Sequence, residues 1–449
     1  MSRFLSLMAG LTAAAAASAA PAAVITDPKW SAMCTRDLVV PAGTLSIPPF
    51  AFKDCQALVH ATIPDSVTEI GKEAFKNCGN LISVAIPASV VAIGDSAFFN
   101  APSLVNYTGG QGVREFGKQV FHNTGLTEFA MPPFTTEVSF GMLAGSDQLE
   151  TVVLHDKITH IGDYAFDWCT KLQNVVGGTA VTHYGDHSFS LNSLWHAGLG
   201  SSHFRLSPVT ESIGASAFFS AGLDDVTWAS LQVPDTLTHL GASAFAFNRL
   251  TGHFAPPPHI DVLANSTFED TMFKTVDLTG VKAVGSYCFA SRGANKKGSG
   301  LRVLFGHHTT IGPYAFADSN IQRLDVPATW DTVPEGLCSN CEWLHTLNLP
   351  DTLVGIGARA FEACPALTQL TLPSSLVYIG DYAFSSDFGI GDYGLNGTLL
   401  LPNTLETIGA HAFDGQELTE VALPPAADDA SSEGGYPRSR LRAIGESAF

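Results

Sequence analysis

Four groups of residues in this chain have types and spacings that could do chemistry. Cys338-x-x-Cys341 has the spacing of a redox dithiol. His183 and His187 stand four apart, which would turn two imidazoles toward one metal ion if a helix carried them. Gly389-x-Gly391-x-x-Gly394 spells a phosphate-cradling dinucleotide turn. Ser216 and Ser243 each lie in Gly-Ala-Ser-Ala-Phe, close to the outline of a nucleophile elbow. Each chemistry needs a particular supporting element, so the elements around these residues decide the matter.

Those elements come from a repeat. The phrase Ile-Gly-x-x-Ala-Phe stands at 70–75, again at 93–98, and recurs in worn form to the last residue. Taking its Phe as a register mark gives Phe52, Phe75, Phe98, Phe121, Leu143, Phe166, Phe189, Phe218, Phe245, Phe268, Phe289, Phe316, Cys338, Phe361, Phe384, Phe413 and Phe449, most often 23 residues apart. Four residues before the mark stands Gly, except at Pro48, Ser139, Ala264 and Pro334. A fixed period of this kind is the signature of a stacked repeat architecture.

Within one unit, Val84 and Ile86 alternate around Ala85, which is the period of a half-buried strand. Pro87 ends it, because proline has no N–H for a ladder; Pro64, Pro132, Pro234, Pro327, Pro350, Pro373, Pro402 and Pro424 mark the same stop. A second apolar stretch through Val90 and Ile93 closes at Gly94, where glycine suggests a tight bend or a positive φ. Ala74, Phe75, Cys78 and Leu81 sit at helix-like offsets, which predicts a helical or 3-10 turn with one inward face. A unit this short cannot bury its own apolar side. About seventeen coils are therefore expected to stack into one elongated solenoid, with strand ladders ~4.8 Å apart and a column of Phe rings inside.

In this register the chemical patterns dissolve. Cys55, Cys78, Cys169, Cys341 and Cys364 all fall three residues after the mark, and Cys288 and Cys338 point inward, so the cysteines are expected as buried packing residues. Bridges between adjacent coils, Cys55–Cys78 or Cys341–Cys364, are the alternative in an oxidising compartment. His183 and His187 straddle the bend at Gly185, and Ser216 and Ser243 lack the second glycine of an elbow. The Gly389 pattern lies in an insertion after Phe384, not between a strand and a helix. No catalytic, cofactor-binding or metal site is expected, and the chain is not expected to be an enzyme.

The unit Leu-x-x-Ile-x-Ile-Pro-x-x-Val-x-x-Ile-Gly-x-x-Ala-Phe-x-x-Cys resembles the BspA-type leucine-rich repeats of secreted and surface proteins, over residues 44–449. The resemblance implies a solenoid that binds macromolecules, often in adhesion, with no active site of its own. It transfers no binding residue, because the motif positions are core positions.

Residues 1–22 combine Arg3, an alanine-rich apolar run and small residues at a cleavage site, the pattern of a secretory signal peptide. Residues 23–43, with Trp30 and Cys34, read as a lead-in that covers the open first coil. The phrase at 441–449 stops at its Phe, so further coils or a tether are expected beyond it. The balance of 23 Lys and Arg against 42 Asp and Glu, net −19, argues against nucleic acid or anionic lipid as partner. No later stretch has the length and apolarity of a membrane span.

Insertions at 191–202, 291–300 and 385–394 enter at one corner of the coil, which is either the binding edge or a corner that tolerates extra length; a fourth, 425–440, is acidic and rich in Ser and Gly. Asn106, Asn265 and Asn396 head sequons and are candidate glycosylation acceptors in a eukaryotic host. The outward strand positions Thr62, Ala85, Ala130, Val153, Asp277, Asp325, Asn348, Thr371 and Ala422 repeat no single polar residue, which argues against an ice- or mineral-binding ladder. The expected function is an exported, non-catalytic binding or adhesion module, secreted or at the cell surface. Its partner would be a protein or glycan on a host or neighbouring cell or matrix. The alternative is the targeting or scaffold portion of a larger surface enzyme or receptor.

Overall fold

The computed structural model describes residues 28–194, 204–224, 226–291, 300–386, 394–423 and 440–449. The chain winds as a β-solenoid in which equivalent strands of successive coils pair in parallel. Strand Ser83–Ile86 buries Val84 and Ile86 and turns Ala85 outward, as its alternation predicts. It pairs with His60–Thr62 of the coil before and Asn106–Gly109 of the coil after. Beyond the Pro87 corner, the two-residue strand Ala92–Ile93 pairs in the same way with Glu69–Ile70 and Glu115–Phe116. The molecule thus carries a first-strand sheet and a second-strand sheet, joined within every coil by a proline corner.

The third side of the coil differs from the helical or 3-10 turn expected. Among the described residues only Pro28–Ser31 and Trp228–Leu231 are helical. Elsewhere the chain makes consecutive tight turns, and alternate N–H groups donate to the next coil: Glu73 N to Asp95 O at 2.8 Å, Phe75 N to Ala97 O at 2.7 Å, Asn77 N to Phe99 O at 2.8 Å. At nearly every mark this third ladder is built with a left-handed residue two places before and two places after. Of the 28 non-glycine residues with positive φ among the described residues, all but Gln232 occupy those two places, for example Glu73 (53°) and Asn77 (59°). A helix cannot run through such alternation, since it requires consecutive right-handed residues.

Glycine before the mark also works differently from the expectation of a positive φ. Gly94 is absent from the left-handed set; what it lacks is room. A β-carbon there would stand 2.6 Å from Lys72 N, and at Gly380 one would stand 2.5 Å from Ala358 N. The close approach lets the glycine N–H donate to the preceding coil's second strand: Gly94 N to Ile70 O and Gly380 N to Ile356 O, both 2.8 Å. Where the residue is Ser139, Ala264 or Pro334, the second-strand sheet breaks between that coil and the one before it. Ser139 bonds by its hydroxyl instead, to Gly117 O at 2.7 Å, and Pro334 has no N–H to give.

Inside, Phe52, Phe75, Phe98, Phe121, Phe166, Phe189, Phe218, Phe245, Phe268, Phe289, Phe316, Phe361, Phe384 and Phe413 are all buried. Neighbouring rings stack face to face, 5.1 Å apart for Phe75–Phe98 and 5.3 Å for Phe218–Phe245 and Phe384–Phe413. Leu143 and Cys338 interrupt the stack. Trp30 stands edge-on to Phe52 at 5.5 Å, and Cys34 is disulfide-bonded to Cys55. That pairing corrects the expected Cys55–Cys78 alternative: the bridge ties the lead-in to the first coil, while Cys78, Cys341 and Cys364 remain thiols.

Gly94→Ala should cost ~1–3 kcal/mol, as a methyl forced into a packed site does, and should unprotect the amides of Ala92–Ile93 in hydrogen exchange. Gly79→Ala is the control, because a β-carbon there would meet only the far end of the Gln56 side chain, at 3.0 Å, and no backbone. Equal effects from the two substitutions would contradict the role given to the glycine column.

Candidate binding surface

Cysteine in the repeat serves as a donor. Three residues after the mark, a side chain gives a hydrogen bond to the main-chain carbonyl of the preceding coil's mark. Cys78 Sγ reaches Phe52 O at 3.1 Å, Cys169 Sγ reaches Leu143 O at 3.2 Å and Cys364 Sγ reaches Cys338 O at 3.2 Å. Ser146, Asn192 and Asn248 do the same at their places, to Phe121 O, Phe166 O and Phe218 O. The signal was present in the sequence as a polar alternation, Cys with Ser and Asn, and was hidden by reading the column as packing alone. Burial pushes the Cys78 and Cys288 thiols up to about 12. Cys338 and Cys341 share a hydrogen bond, which with burial holds the Cys338 thiol far above its ordinary range.

The remaining motif residues stand apart from one another. His183 stacks on His160 at 4.6 Å, whereas His187 stacks on Tyr164 at 4.8 Å, in a different column. Ser216 and Ser243 hold left-handed turn positions and donate their N–H groups to the next coil. Of the Gly389 pattern only Gly394 falls within the described residues, and no group of His, Cys, Asp and Glu suited to a metal ion occurs among those residues. Asn106 and Asn396 are exposed at strand starts, while Asn265 accepts the Ser286 N–H at 2.9 Å through its side-chain oxygen. The insertions are described only at their edges; 195–203, 292–299, 387–393 and 424–439 lie outside the described residues, as does the signal segment 1–22.

On the turn side, a ladder of side-chain amides runs beside the main-chain one: Asn77 to Asp54 at 2.8 Å, Asn100 to Asn77 at 3.0 Å, Asn123 to Asn100 at 2.7 Å. It ends at the coil marked by Leu143, where Gly145 takes the equivalent place. Flanking that coil, His122 Nδ1 and Asp167 Oδ1 are both buried without a partner. Burial raises the Asp167 carboxyl to about 6, against hydrogen bonds from Ser190 and the Trp168 N–H that pull it down.

Besides the junction before the coil marked by Phe268, which keeps the Thr227–Thr251 bridge and packs Trp228 5.1 Å from Phe254, two junctions among the described residues open both sheets at once, before the coils marked by Leu143 and Cys338. In each, the turn ladder stays closed, as in Phe316 N to Leu337 O at 3.1 Å, and a single bridge remains at the hinge, Ala101–Thr124 or Leu301–Ile321. At the first junction aromatic rings fill the wedge: Tyr107 lies 5.7 Å and Phe116 6.1 Å from Phe129. At the second, Phe305 packs on Trp330 at 5.1 Å, and a groove of about 960 Å³ runs between strands Arg302–Phe305 and Arg323–Asp325. Arg302, Arg323 and His307 line it, with Asp325 as its carboxylate. Asp325 is held by Arg323 through two hydrogen bonds of 2.9 Å, which keep its carboxyl below the usual range. Nothing in the repeat register announces this groove except that Pro334 and Cys338 depart from the pattern in the same coil.

The profile of the BspA type Leucine rich repeat region matches residues 30–147, 136–208, 197–295 and 309–433, in six copies. Among solved structures, a leucine-rich repeat protein of Bacteroides ovatus is similar at 20% identity, over 91% of this chain and 91% of that one, with a TM-score of 0.41. A leucine rich cell surface protein of Faecalibacterium prausnitzii follows at 18% identity over 89% and 91%, with a TM-score of 0.38. The pneumococcal vaccine antigen PcpA is similar at 13% identity over 78% and 91%, with a TM-score of 0.32. No curated protein matches the sequence.

Two predictions follow from the buried groups. In the folded chain a thiol reagent should find no reactive cysteine, then six after unfolding without reductant; a thiol that reacts at once would contradict the donor column. Asp167 is favoured uncharged in the fold, so its contribution to stability is present below about pH 4 and lost as pH rises through about 6. Asp167→Asn should therefore raise the unfolding midpoint at pH 7.5 and leave it unraised at pH 3.5, as read by circular dichroism.

Proposed function

Because this chain belongs to the BspA-type leucine-rich repeat family, we propose that it serves as an exported, non-catalytic module that binds macromolecules at a cell surface. The observation that carries this reading is where the polar groups go. Inside, thiols, hydroxyls and amides are spent in bonding one coil to the next. Outside, the first-strand sheet aligns side chains of consecutive coils, such as Asp37, His60 and Ser83, in register. A ladder of this kind offers an extended surface to a macromolecule rather than a pocket to a metabolite.

A protein partner is favoured over nucleic acid, since a chain of net −19 repels a polyanion. A glycan on a host cell or matrix is the second ligand class that the exposed ladder could serve in adhesion. Export is supported by the signal pattern at 1–22 and by the Cys34–Cys55 bridge, because oxidising compartments preserve disulfides. Residues 28–43 then act as the lid of the first coil, with Trp30 closing the ring column. No helix among the described residues is long and apolar enough to cross a membrane.

The test is to express the chain from Met1, sequence the N-terminus of the product and measure adherence of cells to surfaces coated with it. A product that begins near residue 23, found outside the cell or on its surface, and an adherent layer lost on heat unfolding are expected. An uncut product retained inside, or adherence equal to that of an unrelated coated protein, would overturn the reading.

A further inference from the structure

We infer that the open seam between Arg302–Phe305 and Arg323–Asp325 is a slot for an extended acidic peptide, which adds a strand to the first-strand sheet. The inference rests on the chain being a binding module and says where on it, and to what chemistry, binding occurs. Arg302–Phe305 is paired on its other side with Met272–Leu278, and Arg323–Asp325 on its other side with Thr346–Asn348. The sheet stops at both, so two strand edges face each other across the groove with main-chain N–H and C=O groups unpaired. Such edges are templates for a further strand, whose own main chain supplies the missing partners.

The seam is built into the coil sequence. Pro334 cannot donate to the preceding coil, and Cys338 replaces the Phe that would fill the column, while the turn ladder on the far side stays bonded through Tyr314 N to Glu335 O and Asp318 N to Ser339 O. The Leu301–Ile321 bridge fixes one end. The coils are therefore held apart by a bonded hinge. At the doubly open junction before the coil marked by Leu143 the rings of Tyr107, Phe116 and Phe129 occupy the wedge, whereas here about 960 Å³ is left, within the range of ~300–1,000 Å³ usual for ligand sites. The lining runs from Gly300 to His307 on one wall and from Gln322 to Thr329 on the other, the length of a short strand.

Charge selects the occupant. The lining holds Arg302, Arg323 and His307 against one carboxylate, Asp325, in a chain whose net charge is −19. Asp325 and Arg323 are engaged with each other, and Asn348 bonds Asp325 at 2.5 Å, which leaves Arg302 and His307 to meet the occupant's carboxylates. An incoming strand with Glu or Asp at alternate positions would set those side chains on the Arg302 side and its main chain on the two edges beyond the Leu301–Ile321 bridge, where the wedge widens. Trp330, packed on the lining Phe305, lies next in the chain to Thr329 and supplies a fluorescent reporter.

The experiment uses the full chain and a fluorescein-labelled heptapeptide of alternating Glu and Val. Two further peptides accompany it, one with Lys for Glu and one with alternate main-chain nitrogens methylated. Anisotropy should report binding of the acidic peptide, with hydrogen-exchange protection gained at Arg302–Phe305 and Arg323–Asp325. Methylation should weaken binding about tenfold or more, the worth of one or two main-chain bonds. Arg302→Glu, an exposed substitution that leaves the fold intact, should weaken the acidic peptide and strengthen the Lys one. Equal binding of the methylated peptide, protection elsewhere, or no binding of the acidic peptide at millimolar concentration would overturn the slot. So would the same protection appearing without peptide as concentration rises, which would make a second copy the occupant. A chain that holds cells yet ignores all three peptides would overturn the slot alone, leaving the binding-module reading in place.

Discussion

Two coils of this solenoid can bond along their second strands only where no β-carbon stands between them. Thirteen glycines meet that condition, and each donates its N–H to the carbonyl that closes the preceding second strand. The three interior exceptions, Ser139, Ala264 and Pro334, coincide with the three breaks in that sheet. A single missing carbon per coil thus decides whether the stack is continuous. The turn ladder carries the chain across each break, so the molecule opens as a hinge opens and does not come apart.

That turn ladder is costly to build. A left-handed residue other than glycine costs ~1–2 kcal/mol, and each regular coil holds two. The conformation persists because several interactions fix it together: main-chain bonds on both sides, the buried mark between the two residues, and the side-chain donor of the following coil that satisfies the mark's carbonyl. Stacked Asn and Asp side chains add a further row at several of the left-handed positions, as in Asn100 on Asn77. Asn also tolerates that conformation better than most residues, which accounts for its place there.

Much of this was legible in the chain before the structure. The Phe marks, the proline stops and the strand alternation around Val84 and Ile86 all describe what is found. The helix-like offsets of Ala74, Phe75, Cys78 and Leu81 misled, because alternating left- and right-handed turns also bring such residues to one side. The left-handed pairs left little trace, since Tyr, His, Ser, Arg and Trp all occupy them and only the Asn and Asp among them hint at the conformation. Glycine's place was visible but its reason was not, because sequence shows which residue recurs and not which neighbour it clears. Cys34 lies outside the repeat, so no register could pair it with Cys55. The groove depended on two departures, Pro334 and Cys338, falling in one coil, and the exceptions acquire a consequence only once the function of the glycine is known.

The most direct test of the glycine constraint is to remove an exception. In Ala264→Gly the β-carbon that parts strands His239–Leu240 and Val262–Leu263 is gone, and the new glycine N–H can donate to Leu240 O. Hydrogen exchange at residue 264 and at those two strands should slow to the rate of the coils around Gly285 and Gly312. Unchanged exchange at all three places would show that something other than the β-carbon holds the coils apart.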